Sequence, residues 1–245
     1  MHAQQTQISE VKTKTSNFSA PASPRIPLWL KLAFTVFMAV LIPVYWSNYG
    51  PTNFLYFCDV ALLLTLAGVW LENRLLISMS AVGIVAPQAL WVIDFAAKLT
   101  GHKFLGMTDY MFDPHRSLFL RGLSLFHGWL PFLLIALVAK LGYDRRALPA
   151  WTAVAWTLCL ISFFFLPPAG AHLADPKTPT NIDYVFGLND AKRQTWMSAG
   201  AFLLTLMAAL PALFFVPTHF ALCRIFRKTQ VPQALSFPAT RSTFN

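Results

Sequence analysis

The stretch 119-FLRGLSLFHGWLPFLLIALVAKLG-142 constrains this chain more than any other. Its apolar run is about twenty residues long, which at ~1.5 Å per residue crosses a hydrocarbon core of roughly 30 Å. Arg121 marks one end, and Lys140, Arg145 and Arg146 mark the other. Between them, the side chain able to titrate near neutral pH is His127. An ionisable group at membrane depth is costly, faces the protein interior or a wet cavity, and is a functional candidate by default.

Further apolar runs of spanning length extend this reading to the whole chain. The 245 residues are 56% hydrophobic and 12% charged, against about 25% charged in a soluble domain. The predicted fold is therefore an all-α, polytopic bundle of about six transmembrane helices. The spans are expected at Ile26–Trp46, Phe54–Leu71, Leu75–Ala97, Phe119–Gly142, Leu148–Leu166 and Trp196–Leu222. Residues 1–25 read as a polar, disordered tail, residues 26–223 as the bundle, and residues 224–245 as a basic tail. The first run lacks a small-x-small cleavage pattern and reads as a span, not a removed signal.

The net charge of +9 sits at the ends of apolar runs. That placement speaks for topology and lipid headgroups and against a nucleic-acid role. Placing both termini in the cytoplasm gives the inner segments the larger share of Lys and Arg, so a multi-pass protein of the cell membrane is expected. The bilayer is its expected partner, and its oligomeric state is left open. The three cysteines show no metal spacing and read as small buried hydrophobes. His102, Asp109, Asp113 and His115 match no metal motif and read as a solvated loop. No phosphate loop, metal spacing or haem pair is present, and no cofactor is expected.

This topology brings rare polar residues to one depth. Asp59 would lie roughly 8 Å below the start of the second span and His127 roughly 12 Å below Phe119. Asp94 falls near the outer end of the third span, with Trp91 and Gln88 on the turns below it. Asn53, Tyr49 and the long loop 169–195 would form the mouth. The expectation is an outward polar pocket for a small amphipathic or lipid-like ligand. Asn53, Asp94, Asn181 and Tyr184 are its candidate ligand-binding residues, and His127 and Asp59 its candidate catalytic ones. A carboxylate orienting an imidazole suits a general base and equally a proton-coupled carrier. Ser124, one turn before His127, reads as bonding the carbonyl four residues back. A structural protein without chemistry is the third reading.

The segments 55-LYFCDVAL-62, 127-HGWLPFLL-134 and 181-NIDYVFG-187 resemble the androgen-induced family of membrane hydrolases and its bacterial YwaF-like relatives. That resemblance implies a helical membrane fold, a site histidine at His127, and cleavage of lipid-type ester bonds by a threonine early in the second span. Tyr56 stands near that threonine position here, and the gap from His127 to Pro131 is one residue shorter.

Overall fold

In a computed structural model, residues 25–226 are described except 103, 176 and 191, so most of the two expected tails lies outside the described residues. The chain is helical throughout, with no strand among the described residues. The helices are α1 (Leu28–Tyr49), α2 (Phe57–Leu71), α3 (Arg74–Leu99), α4 (Leu118–Ser124), α5 (Phe126–Leu141), α6 (Ala147–Phe165), α7 (Ala199–Leu210) and α8 (Val216–Ile225). Short 3-10 turns occupy Pro51–Leu55, Asp109–Phe112 and Ile182–Tyr184, and a π turn at Pro211–Phe215 joins α7 to α8.

Five segments are long and apolar enough to cross a membrane: α1, α3, α4 with α5, α6, and α7 through α8. The second expected span differs from its reading. It is an α-helix of only 15 residues, α2, about 22 Å long. Pro51, which has no N–H to give, opens the 3-10 turn that precedes α2 and extends that arm of the chain. Asp59 consequently sits in the first turn of α2, not several residues inside a helix begun at Phe54.

Helix α3 is the centre. Its most apolar window is 56% buried, against 17 to 39% for the other four segments, and it packs against α2, α5, α6 and α8. Small residues make this possible: Ser78, Ser80, Ala81 and Gly83 are buried around its circumference and let neighbouring backbones approach. At Gly83 the fit is tightest. A Cβ there would lie 1.9 Å from Cε2 of the fully buried Trp151 on α6. Trp151 also meets Phe57 of α2 and Phe215 of the π turn edge-on. Large apolar side chains such as Trp29, Phe132, Phe165 and Leu204 point outward instead, as they do where the solvent is lipid.

In hydrocarbon every backbone polar group needs a partner, and the irregular helices keep to that rule. Pro211 cannot donate to the carbonyl of Met207 four residues back. Trp156 Nε1 of α6 donates to that carbonyl at 2.8 Å instead. The fourth expected span is likewise broken into α4 and α5 at Leu125.

Polar contacts sort the residues into two ends. Glu72, just past α2, accepts from the backbone N–H groups of Arg25 and Ile26 and from Lys31 Nζ at 2.8 Å. Arg74 beside it reaches Asp144, which is also held by Arg146, and Tyr143 next to Asp144 meets His219 of α8. The two extremes of the described chain therefore lie at one end of the bundle. Arg25, Lys31, Arg74, Arg145, Arg146 and Arg224 gather at this basic end. The long loops cover the other.

Candidate functional site

At the loop end, the break between α4 and α5 creates the site of His127. The amide of Gly128 bonds back to Leu125 O at 2.9 Å, in the tighter 3-10 pattern. The carbonyl of Ser124 is thereby left without its usual helical donor, and His127 Nδ1 lies 2.7 Å from it. A carbonyl oxygen only accepts, so Nδ1 carries the proton and Nε2 presents a lone pair. The ring stacks on Trp91 of α3 at 5.0 Å and on Phe126 at 4.0 Å between centroids. His127 is half-buried, so its free nitrogen is held at a fixed tilt by aromatic neighbours. Gly122 and Gly128 flanking the break were its signal in the sequence.

Asp59 and His127 do not pair. Asp59 Oδ2 accepts from Asn53 Nδ2 at 3.3 Å and lies 3.7 Å from Cys58 Sγ, while its Oδ1 is buried without a partner. The expected carboxylate–imidazole dyad is replaced by two separately held groups, because the helix rotations turn Asp59 towards Asn53 and His127 towards Trp91. Both Asn53 and Asp59 are buried.

Other polar side chains lie near His127. Ser124 Oγ donates to Leu120 O at 3.3 Å and shares a 2.9 Å bond with Tyr45 Oη. Trp91 Nε1 donates to Tyr110 Oη at 3.3 Å. Arg116 lies over the rings of Tyr49 and Tyr110, with its guanidinium carbon 5.6 and 5.5 Å from their centroids. Gln88, one turn below Trp91 on α3, is buried with neither amide atom bonded, and Thr52 Oγ1 is likewise unpartnered.

The other candidates are already engaged. Asp94 accepts four hydrogen bonds of 2.6 to 2.9 Å from Leu105 N, Gly106 N, Thr108 N and Thr108 Oγ1, and so pins the loop at residues 105–108 to α3. Asn181 donates to Gly187 O and Asn189 O and accepts from Phe186 N, which closes the loop on itself. Tyr184 belongs to the same turn, at a positive φ of 59°. Asp109 pairs with Lys98, and Asp113 accepts from His115 N. Among the described residues no group of three or more His, Cys, Asp or Glu is placed to hold a metal ion.

The sequence reading passed over Asp183. It is buried, its Oδ1 accepts from the backbone N–H of Phe57 at 3.1 Å, and its Oδ2 has no partner. It thus caps the N-terminus of α2 from a distant loop, two residues from Asp59. Burial pushes its carboxyl well above the usual range; the Phe57 bond opposes this and the charge of Asp59 adds to it. Its signal was a lone Asp in an otherwise apolar and aromatic turn.

Comparison with protein-family models, curated proteins and solved structures finds no match for this chain. It stands as an integral membrane protein on the evidence of its apolar helices.

Proposed function

We propose that this membrane protein binds a small amphipathic, lipid-like ligand whose polar head engages His127, Asp59 and Gln88. One observation carries the reading. Asp59 Oδ1 and both amide atoms of Gln88 are buried and unbonded, and each such group left unsatisfied costs roughly 1–3 kcal/mol. A ligand head that both donates and accepts, such as a hydroxyl or an ester, offsets that cost. The Nε2 lone pair of His127 supplies a further acceptor. The loops held by Asp94 and Asn181 would form the rim.

Binding is favoured over hydrolysis because Ser124 Oγ is spent on Tyr45 and Leu120. The resemblance to membrane hydrolases itself implies hydrolysis, but Tyr56 stands near the place of the nucleophilic threonine and cannot take that role. We place the protein in the cell membrane with its basic end cytoplasmic, from the gathering of Arg and Lys there.

The test is native mass spectrometry of the protein released from membranes, followed by lipid analysis. Wild type is expected to retain an amphiphile that a paired Asp59→Leu and Gln88→Leu variant loses while remaining folded. Equal retention by both would overturn the reading. Fluorophosphonate labelling that disappears in His127→Ala would move it to a lipid-ester hydrolase.

A further inference from the structure

A second group of reactive side chains lies at the basic end, away from the cluster around His127. Cys223 follows His219 by one turn on α8, and its Sγ is 3.6 Å from His219 Nε2. His219 Nδ1 is 2.7 Å from Tyr143 Oη. Tyr143 belongs to the turn between α5 and α6 and is 1% exposed, so it is a rigid post for the imidazole. A thiol that donates to Nε2 places the other proton on Nδ1, which then donates to the phenol oxygen. Thiol, imidazole and orienting group stand in the order of an activated nucleophile, its base and the group that holds the base.

Neither of the other cysteines has this setting. Cys159 is fully buried among apolar residues, and Cys58 lies against the Asp59 carboxylate, which opposes a thiolate. Two arginines belong to the same elements as the Cys223–His219–Tyr143 group. Arg145 lies in the turn that carries Tyr143 and acts on His219, and Arg224 is the next residue on α8. Asp144, the acid beside Tyr143, is taken up by Arg146 at 2.8 Å and Arg74 at 3.6 Å. The geometry at hand is the adjacent imidazole, which can take the thiol proton as the sulfur attacks.

Position selects the electrophile. Cys223 is half-buried near the end of the last membrane segment. Phe220 and Ile225, close to it on α8, are 66% and 68% exposed, a lipid-facing surface, while Arg224 and Arg145 are exposed beside it. An amphiphile meeting this edge would lay an acyl chain along the apolar residues and an anionic head against the arginines. Juxtamembrane cysteines in such settings accept acyl chains.

We propose that Cys223 is an S-acylation site that takes a long-chain acyl group from an acyl thioester, with His219 as its base and Tyr143 as the positioning residue. The Cys223 sulfur attacks the thioester carbonyl carbon and its proton passes to His219 Nε2. The new S–C bond forms, the C–S bond to the leaving thiol breaks, and that thiolate recovers the proton from His219. Nothing is oxidised or reduced.

The experiment uses the full chain in lipid nanodiscs, incubated with palmitoyl-coenzyme A and mapped by peptide mass spectrometry before and after neutral hydroxylamine. A hydroxylamine-labile acyl group is expected on Cys223 and absent from Cys58 and Cys159. His219→Gln is expected to slow its formation roughly a hundredfold. Tyr143→Phe is expected to slow it less and to shift its pH profile, which a merely structural residue would not do. Alkylation by iodoacetamide checks the wild type without any variant. Cys223 is expected to react first, ahead of Cys58 and Cys159. Absence of acyl transfer to Cys223, an unchanged rate in folded His219→Gln, or alkylation of Cys223 no faster than Cys58 would each overturn the proposal.

Discussion

Asn181 illustrates what a single residue does here. It lies in the left-handed region at φ 54°, followed by Asp183 at 57° and Tyr184 at 59°. Asn and Asp tolerate that region, whereas a bulky aromatic there is strained. The three backbone bonds of the Asn181 amide hold the strained turn, which in turn sets Asp183 against the start of α2. Asn181→Ala is therefore expected to lower stability by about 3 kcal/mol, read as a fall in thermal midpoint in detergent. For Asp183 the sign follows from burial. Its folded pKa is raised above the ordinary 3.8, so the stability it contributes is full below that value and is lost as pH rises through the folded one. Asp183→Asn keeps an oxygen for Phe57 N–H, and is expected to flatten that decline and raise the midpoint at alkaline pH. An unchanged pH profile would count against the burial argument. The sequence singled out Asn181 as polar in an aromatic turn, but not that its own loop consumes the amide.

At the scale of elements, the contact between α3 and α6 is governed by one notch. Gly83 leaves room for the indole of Trp151, and the two helices approach until the ring fills it. Gly83→Ala is expected to force the helices apart and cost about 1–3 kcal/mol, measured by chemical or thermal unfolding. Adding Trp151→Leu to that variant is expected to recover part of the loss, since the clash goes while a cavity opens. If both single changes and the double simply add, the two residues are not interlocked. The length and apolar character of these helices were legible from composition alone. The breaks were legible only in part: Pro211 and Pro217 mark the last span as kinked or broken, and its π turn does open at Pro211, but the sequence did not show that Trp156 from another helix supplies the missing donor.

For the whole molecule, Glu72 fastens the start of the first helix to the turn after α2. Lys31 and the N–H groups of Arg25 and Ile26 hold its carboxyl down to about 2, with the Lys31 bond the largest cause. A depressed acid contributes stability above its ordinary value of 4.5 and loses it as pH falls towards 2. Unfolding midpoints are expected to drop over that window in wild type and to stay level in Glu72→Gln, which would already be lower at neutral pH. A parallel drop in both proteins would place the acid sensitivity elsewhere. By itself the sequence determined the class of fold, the approximate spans, the gathering of basic residues at one end, and which polar residues stand out. Those follow from length, hydropathy and charge, which local sequence carries because lipid selects on them segment by segment. The tertiary structure alone decided the partners: Asp59 with Asn53, His127 with a carbonyl freed at a helix break, Asp183 on α2, and Cys223 in line with His219 and Tyr143. Partner choice depends on how each helix is rotated about its axis and how deeply it sits against α3. That rotation is settled by packing between segments distant in the chain, at contacts such as Gly83 against Trp151.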